Sequence, residues 1–389
     1  MRPWCVVVLF TGHHAFAQGW TQLPDFPGTA RDDAASFVIG RRIYVGTGRD
    51  VDFALRNDWY AFDEILQVWG PIAPLPSSGR QYCAAFSADD HGYLFGGIDD
   101  TGPLNELWRY DATSNSWEQL APLPGPGRYA AVAFDTGLIC TGMLNNGIPT
   151  NETWKYDVAS DSWSQRTPVP GPPRHRASGG GAFELIAGGA NAEFEALSDV
   201  YFYDQPSEAW YPSLDLPGPR YGADGSNNFV VGGASTTDEY HDDTWVFYSA
   251  WGWTFEVPFP GGPRRGGVMA AIEYNGLVEG QFYYGTGVDL TERKKDWWRF
   301  DYSYWGVEEH GSRSLTGYPN PTNGHIFFAL SGHDEKLSFE VFDITGRRIQ
   351  TGTLRSGIPL DVSDKEPGRY LVIIRVGGIS YHSHFTLIP

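Results

Sequence analysis

The sequence predicts an all-β protein, a six-bladed β-propeller followed by a small C-terminal antiparallel β-sandwich. Three observations lead to this prediction. Aromatic residues make up 15% of the 389 residues, and glycine and proline are abundant, which favours strands and turns over helices. One set of features recurs six times at spacings of 43 to 52 residues. Residues 315 to 389 lack these features and contain short alternating apolar segments instead.

The N-terminal segment has the organisation of a secretory signal peptide. A basic residue, Arg2, precedes a short apolar run from Trp4 to Phe10 and an Ala15-Phe16-Ala17 cleavage pattern. We therefore expect residues 1–17 to be a signal peptide. No apolar run reaches the about 20 residues that a transmembrane helix needs, so we expect no transmembrane span and a chain that is soluble or anchored by other means.

The exported chain would retain two cysteines, Cys83 and Cys140. An oxidising compartment would allow them to form a disulfide. Both lie in apolar, strand-like segments of neighbouring repeats, where a buried thiol is an ordinary core residue. We favour the second interpretation.

The net negative charge of the chain comes entirely from residues outside the tail. Residues 315 to 389 contain seven basic and seven acidic residues, whereas the whole chain has a net charge of −19. Nucleic-acid binding depends on Lys and Arg displacing counterions, so we expect no nucleic-acid partner. A solvated acidic surface that keeps an exported protein soluble is the simpler interpretation of this charge.

Each repeat contains an arginine after a Pro/Gly corner, a glycine-rich strand end, an aromatic strand that ends near Asp, and an isolated tryptophan. The arginines are Arg31, Arg80, Arg128, Arg174, Arg220 and Arg264, and the tryptophans are Trp69, Trp117, Trp163, Trp210, Trp253 and Trp305. Four short strands cannot bury both faces of their sheet, so successive units must stack. Radial stacking predicts a propeller over residues 18–309.

An additional tryptophan, Trp20, has the sequence context of a fourth strand but no preceding strands. We expect the segment "GWTQLPDFP" to complete the last blade by joining strands from both ends of the chain. The alternative is that the segment around Trp305 completes it.

The repeat resembles the kelch family from Trp20 to about Trp305. The resemblance rests on glycine pairs such as "LFGG", on the Tyr/Phe-Asp strand end, and on the tryptophan about six residues beyond it. The third unit departs from the pattern with "CTG", and the fifth lacks the Asp after "WVFY". The resemblance implies a six-bladed propeller.

The tail forms a separate domain at residues 318–389, behind a linker at 310–317. It resembles the C-terminal sorting domain of the type IX secretion system at Tyr318, Pro319, Asn320, Pro321, Gly324, the "DITGR" turn and "GRY" at 368–370. The resemblance implies recognition by the type IX secretion machinery, transit through the periplasm, and release or attachment at the outer-membrane surface. A binding sandwich that stays attached is the alternative.

The candidate ligand-binding residues are arginines at the expected channel mouth. They are Arg31, Arg80, Arg128, Arg176, Arg220 and Arg265. Each corner guanidinium can instead tie its corner by bonding loop carbonyls, for which its planar array of donors is well suited. Arg176 and Arg265, which stand beside corner arginines in "PPRHRAS" and "GPRRGG", are the candidates with more freedom to bind an acidic ligand.

The sequence contains no strong catalytic motif. No P-loop, "GxSxG" or "HExxH" is present, and we expect no cofactor and no metal. The loop "EYHDD" at 239–243 and the pair His382 and His384 are better explained as solvated surface than as metal ligands. We therefore expect a secreted or cell-surface module that binds a glycan or a protein. The alternative is a carbohydrate-active enzyme similar to kelch-type sialic-acid mutarotases, which would need an Arg, an acid and a His to converge in the channel mouth.

Overall fold

The computed structural model describes residues 19–237, 239–248, 252–273, 279–303, 313–314, 317–318, 322–328, 337–343, 347–354, 359–376 and 379–388. Every regular element in these residues is a β-strand. They include no helix with the length and apolar character that a membrane crossing requires. The signal segment 1–17, Trp305 and most of the linker lie outside the described residues.

Six four-stranded antiparallel sheets follow one another along the chain, as the repeats predict. From the inner to the outer strand, the first three are Ala35–Ile39, Arg42–Gly46, Trp59–Asp63 and Val68–Ile72; Ala84–Ala88, His91–Phe95, Leu107–Asp111 and Ser116–Leu120; and Val132–Ala133, Leu138–Cys140, Thr153–Asp157 and Ser162–Arg166. The next two are Ser178–Gly180, Phe183–Ala187, Val200–Asp204 and Ala209–Pro212; and Asp224–Ser226, Phe229–Val231, Thr244–Tyr248 and Gly252–Phe255.

The sixth sheet combines strands from distant parts of the chain. Its strands are Val268–Glu273, Glu279–Gly285, Trp297–Ser303 and, at the outer edge, Gly19–Leu23. Trp20 stands opposite Phe300 in this antiparallel pairing. The expectation that the Trp20 segment completes the last blade is therefore confirmed.

The innermost strands of the six sheets contact one another in cyclic order, and the sixth contacts the first. They surround a channel of about 190 Å³, which is lined mainly by alanine, glycine and serine.

Three short two-stranded ladders in the described residues lie outside the six four-stranded sheets. They are Arg31–Asp32 with Arg49–Asp50, Ile98–Asp99 with Gly102–Pro103, and Arg128–Tyr129 with Met143–Leu144.

The repeated tryptophan joins each sheet to the preceding one. The indole of Trp117 packs against Phe37 and Trp59 of the first sheet and donates a hydrogen bond to the Ala73 carbonyl (2.9 Å). Equivalent bonds join Trp69 to Pro24, Trp163 to Ala121, Trp210 to Thr167 and Trp253 to Leu214. In these five sheets the tryptophan supplies the interface with both apolar area and an N–H donor. Trp20 of the sixth sheet supplies apolar area against Phe259, but its buried Nε1 has no hydrogen-bond partner.

The tail contains two sheets. One has the order Arg313–Ser314, Ile379–Leu387, Gly368–Val376, Leu337–Asp343 and Arg348–Leu354, and the other contains Gly317–Tyr318, His325–Phe328 and Leu360–Asp361. Inward-facing residues such as Ile326, Val341 and Ile374 form a common apolar core. The short apolar segments of the tail sequence thus form strands, as in His325–Phe328, Leu337–Asp343 and Gly368–Val376.

Candidate functional site

The arginine that begins each repeat is almost completely buried. The relative exposures of Arg31, Arg80, Arg128, Arg174, Arg220 and Arg264 lie between 0% and 3%. Each forms an ion pair with an acidic residue that immediately precedes the third strand of the same sheet. The pairs are Arg31–Asp58 (2.7 Å), Arg80–Glu106 (2.8 Å), Arg128–Glu152 (2.7 Å), Arg174–Asp199 (2.6 Å), Arg220–Asp243 (2.7 Å) and Arg264–Asp296 (2.6 Å).

Five of these six arginines also bond the carbonyl at the glycine-rich strand end, as Arg174 bonds Gly188 (3.0 Å). Burial alone would raise the pKa of Asp58, but the hydrogen bonds and the charge of Arg31 outweigh it and hold that pKa below its ordinary value. This geometry supports the interpretation of the corner arginines, including the candidates Arg31, Arg80, Arg128 and Arg220, as structural ties.

Sequence analysis did not identify the acidic partners of these arginines. The sequence does contain a signal for these partners, because the segment of each aromatic strand begins with Asp or Glu. The six segments are "DWYAFD", "ELWRYD", "ETWKYD", "DVYFYD", "DTWVFY" and "DWWRFD". An acid at the same place in six repeats, matched by an arginine at the same place, indicates a repeated ion pair.

A second repeated position lies two residues after each corner arginine and forms a ring at one end of the channel, which we call the mouth. The ring residues are Asp33, Tyr82, Ala130, Arg176, Gly222 and Gly266, and each directly precedes a channel-lining segment. All six have φ between 52° and 61°. Their backbones form a cycle of hydrogen bonds, from Tyr82 N to Asp33 O (3.0 Å), Ala130 N to Tyr82 O (2.9 Å), Arg176 N to Ala130 O (3.0 Å), Gly222 N to Arg176 O (2.8 Å), Gly266 N to Gly222 O (2.9 Å) and Asp33 N to Gly266 O (2.8 Å).

Three ring positions carry large polar side chains although glycine would adopt this backbone conformation more easily. A left-handed conformation costs a residue other than glycine about 1–3 kcal/mol, and such residues concentrate at functional sites. Asp33, Tyr82 and Arg176 bear this cost. Together with Arg265 they form what we call the mouth cluster.

The small ring residues leave room for the mouth cluster. A Cβ atom on Gly266 would lie 2.3 Å from Asp33 Oδ1, and one on Gly222 would lie 3.4 Å from the Cβ of Arg265. Arg176 donates a hydrogen bond to the Tyr82 hydroxyl (2.7 Å), two ring positions away and beyond Ala130, and its guanidinium lies 4.7 Å from the centroid of the Tyr82 ring. The cluster therefore depends on the small residues at the other three ring positions, Ala130, Gly222 and Gly266.

Neither guanidinium of the mouth cluster forms an ion pair with a described carboxylate. Arg176 bonds Tyr82, and Arg265 bonds the hydroxyl of Tyr240 (3.0 Å). Two buried atoms of the cluster have no hydrogen-bond partner, Arg176 Nε and Asp33 Oδ2. A buried unsatisfied polar atom costs about 1–3 kcal/mol, so a donor and an acceptor in this state at one mouth indicate a place for a polar ligand.

The mouth cluster also perturbs the protonation of Asp33. Burial, together with the charge of Asp32, raises the pKa of Asp33 to about 7, although Arg176, Arg265 and the Tyr82 hydroxyl act in the opposite direction. Within the channel, burial likewise raises the pKa of Asp224 to about 7, although its Oδ2 accepts bonds from Gly267 N (2.8 Å) and the Tyr284 hydroxyl (3.1 Å).

The histidine beside the mouth cluster is directed elsewhere. The ring of His175 packs against Phe194 with the centroids 4.8 Å apart. Burial and the charge of Arg176 lower its pKa to about 4, so it is neutral at pH 7. The arginines and an acid thus meet at the mouth, whereas His175 does not join them.

The other candidate features have structural surroundings. Cys83 and Cys140 are free thiols, and burial raises the pKa of each to about 12, as expected for core cysteines. In the acidic loop at 239–243, Asp243 pairs with Arg220 and Glu239 accepts a hydrogen bond from Ser235. The described residues contain no group of three or more potential metal ligands.

Two of the five candidate sorting residues belong to the described part of the tail. Tyr318 pairs with Phe327, and Gly324 has φ of 138° and lies so close to Ser363 that a Cβ would approach its Cβ to 2.8 Å. Pro319, Asn320 and Pro321 lie outside the described residues.

Comparisons with known proteins agree with this architecture. The family model described as the KLHDC2/KLHL20/DRC7 Kelch-repeats domain matches residues 17–183, and the model of the secretion system C-terminal sorting domain matches residues 316–387. A kelch domain-containing protein of Vibrio cholerae serotype O1 is 29% identical over 94 residues, which are 23% of this chain and 26% of that protein.

A solved structure also has this fold. The structure of YjhT superposes with a TM-score of 0.60 at 17% identity and covers 71% of this chain and 95% of its own. The predicted fold class and both family resemblances are confirmed. The chain therefore carries kelch repeats, which match their family model over residues 17–183, and a type IX secretion system C-terminal sorting domain over residues 316–387.

Proposed function

We propose that this exported propeller binds an acidic ligand, a glycan or a protein, through a carboxylate that enters the mouth. One observation carries the proposal. Each of the six corner arginines has a carboxylate partner within its own sheet, whereas Arg176 and Arg265 have only tyrosine hydroxyls as described side-chain partners. A carboxylate offers two acceptors in the plane that a guanidinium prefers.

The surroundings of the mouth cluster support the same ligand class. The whole chain has a net charge of −19, so two unpaired arginines at one mouth stand out from an acidic protein. The channel beyond the ring is lined by small residues and has a volume of about 190 Å³, enough for a terminal group but not for a folded segment. The tyrosines Tyr82 and Tyr240 supply aromatic surface beside the arginines.

Exposed apolar residues in the loops on the same face extend the possible contact area. Phe53, Ile148, Phe194 and Leu290 are between 55% and 62% exposed, and each belongs to the loop that follows a glycine-rich strand end. Loops on a rigid scaffold are common sites for ligand contacts. We infer that they would contact the part of the ligand that remains outside the mouth.

The sorting domain implies export to the cell surface or secretion. We further propose that residues 1–17 direct the chain to the periplasm and that the type IX machinery then carries it across the outer membrane. In this scheme the tail is an address and the propeller is the functional part at the cell surface or in the medium.

The binding proposal is tested on an array of acidic glycans with their neutral parents, together with acidic peptides and their amides. Arg176→Ala and Arg265→Ala should each weaken binding by about 1.5–3 kcal/mol, the contribution of a hydrogen bond to a charged group. The matched control is Arg42→Ala, which removes an exposed arginine at the opposite end of the first sheet and should leave binding unchanged.

Each outcome of this test is informative. Binding to acidic members and not to neutral ones supports the proposal, and the type of array member that binds separates a glycan from a peptide ligand. Equal binding to both, or binding that survives both substitutions, would contradict it. A sugar-turnover assay on the same samples would detect the carbohydrate-active alternative directly.

A further inference from the structure

The carboxyl group of Asp33 has an unusual position within the mouth cluster. Asp33 is 8% exposed, and its Oδ2 is buried without a hydrogen-bond partner. Its side chain lies over Gly266, where a Cβ would come within 2.3 Å of Oδ1. The chain therefore holds an acid in a costly left-handed conformation, beside the two arginines, and leaves one of its oxygens unsatisfied.

Charged and titratable groups face Asp33 from several sheets. Asp32 precedes it and pairs with Arg293 (2.6 Å). The Tyr82 hydroxyl acts on the protonation of its carboxyl from the second sheet, and the charges of Arg176 and Arg265 act on it from the fourth and sixth. Asp224, a second acid of the channel, accepts hydrogen bonds from Tyr284 and Gly267, and Tyr240 accepts one from Arg265. Asp33 is thus the acidic residue of the mouth cluster, in which Arg176 and Arg265 form no ion pair with a described carboxylate.

We propose that an acidic ligand binds at the mouth together with one proton, which Asp33 takes up from solvent. The inference rests on the proposed function. In the complex, the ligand carboxylate accepts hydrogen bonds from Arg176 and Arg265, and the neutral Asp33 carboxyl donates its O–H to a ligand oxygen. The proton that neutralises Asp33 comes from solvent and is the only additional species, and the O–H bond of the Asp33 carboxyl is the only covalent bond that forms.

Electrostatics explains why the two events are coupled. Ionised Asp33 is attracted by the charges of both arginines, although it forms an ion pair with neither. It would repel a second carboxylate brought into the same desolvated space, because two like charges at short range cannot both remain ionised without a large cost. Protonation removes this repulsion and converts the unsatisfied Oδ2 from an acceptor to a potential donor. The raised pKa of Asp33 means that this proton is taken up near neutral pH.

The test is isothermal titration calorimetry of the full chain with D-glucuronate at pH 6, 7.5 and 9. D-glucuronate is a sugar whose carboxylate remains ionised at all three pH values. D-glucose is the neutral control probe. If one proton is taken up on binding, the affinity for D-glucuronate must fall about tenfold for each pH unit above the pKa that Asp33 has in the protein without ligand. At pH 7.5, titration in two buffers of different ionisation enthalpy should show uptake of a fraction of one proton per bound ligand, rising towards one at pH 9.

Asp33→Asn supplies the matched variant. Asparagine readily adopts the left-handed conformation and resembles the neutral carboxyl, so the fold should be retained. This variant should bind D-glucuronate with an affinity that is nearly independent of pH. The control is Asp224→Asn, which changes a second buried acid with a raised pKa that belongs to the channel and not to the mouth cluster, and which should keep the wild-type pH dependence.

The outcomes separate this inference from the proposed function. No binding of D-glucuronate at any pH would overturn this inference, whereas the proposed function is decided separately by the array of acidic glycans and peptides. Binding that is independent of pH and takes up no proton would overturn the role of Asp33 alone. Binding that loses its pH dependence in Asp224→Asn and keeps it in Asp33→Asn would assign the proton to the channel acid instead.

Discussion

Two arginines separated by a single residue should respond in opposite ways to the same substitution. Arg174 is fully buried, and its guanidinium bonds both oxygens of Asp199 at 2.6 Å and the Gly188 carbonyl at 3.0 Å. Arg176 has a neutral partner, the Tyr82 hydroxyl, and no described carboxylate. We predict that Arg174→Ala reduces stability and that Arg176→Ala reduces ligand binding.

The loss of stability expected for Arg174→Ala follows from the Asp199 carboxylate, which keeps its charge but loses its partner. Breaking a buried ion pair by removing one partner costs about 3–5 kcal/mol, because the other charge stays uncompensated. The Asp199 side chain is 27% exposed, so water can compensate part of this charge, and we expect a loss near 3 kcal/mol, the lower end of that range. For a domain of this size, such a loss lowers Tm by roughly 5 °C.

Arg176→Ala removes a cation–π contact and one hydrogen bond to a neutral group, and it also removes the unsatisfied Nε. A cation–π contact contributes about 0.5–1 kcal/mol at a partly exposed site, so the stability change should stay below about 1 kcal/mol. Both residues are replaced by the same residue on the same segment, so each variant controls for the other.

Thermal unfolding followed by tryptophan fluorescence measures both variants. This signal reports on the propeller because residues 318–389 contain no tryptophan. A similar loss of Tm in both variants would show that Arg176 is a structural tie like Arg174. A loss below about 1 kcal/mol for Arg174→Ala would refute the assignment of the buried ion pairs as corner ties.

Three further predictions follow from the fold and the buried acids. Deleting residues 18–27 removes the outer strand of the sixth sheet and should lower the melting midpoint sharply, whereas an unchanged midpoint would mean that Gly19–Leu23 contributes little. Deleting residues 315–389 should leave a folded propeller in the periplasm, and its detection at the cell surface would contradict the sorting role. Because its pKa is raised in the folded protein, the neutral Asp33 carboxyl favours folding, an effect that Asp33→Asn makes independent of pH. In wild type this effect is complete below the ordinary carboxyl pKa and is lost as the pH rises through about 7. The stability of wild type relative to this variant, measured by urea unfolding, should therefore fall by about 2 kcal/mol between pH 5.5 and 8.5, and no change would indicate an ordinary pKa.

Repeat periodicity was sufficient to predict the architecture. The tryptophan of each fourth strand marks an interface between sheets because its ring packs against the preceding sheet, as Trp117 packs against Trp59 and Trp20 against Phe259. Trp20 carried the same signal in isolation, and its strand therefore could be assigned to the last sheet. Local sequence decides these features, so no knowledge of distant contacts was needed.

The mouth cluster could be predicted only in part. Arg176 and Arg265 were recognised as additional arginines next to corner positions, but Asp33 and Tyr82 were not recognised. Arg176 and Tyr82 are 94 residues apart in sequence and meet because a cycle of backbone hydrogen bonds places their repeats around one mouth. A contact of this kind depends on the left-handed ring conformation and on a small residue at Ala130, neither of which has a signature within one repeat.

The distinction between tie and ligand residue likewise required three-dimensional information. The sequence offers similar arginines at Arg31, Arg80, Arg128 and Arg220, and the burial and partners of each become visible only when the third strand is placed beside it. The acidic residue that opens that strand would have been the one sequence signal for the distinction, because a repeated arginine with a repeated acid indicates a structural pair.

The most direct measurement is a crystal structure of the full chain in complex with the acidic ligand that binds best on the array. We predict that the ligand carboxylate lies at the mouth, within hydrogen-bond distance of both Arg176 and Arg265, with a ligand oxygen next to Asp33 Oδ2. A ligand bound to another surface of the propeller or to the tail, with the mouth empty, would contradict the account.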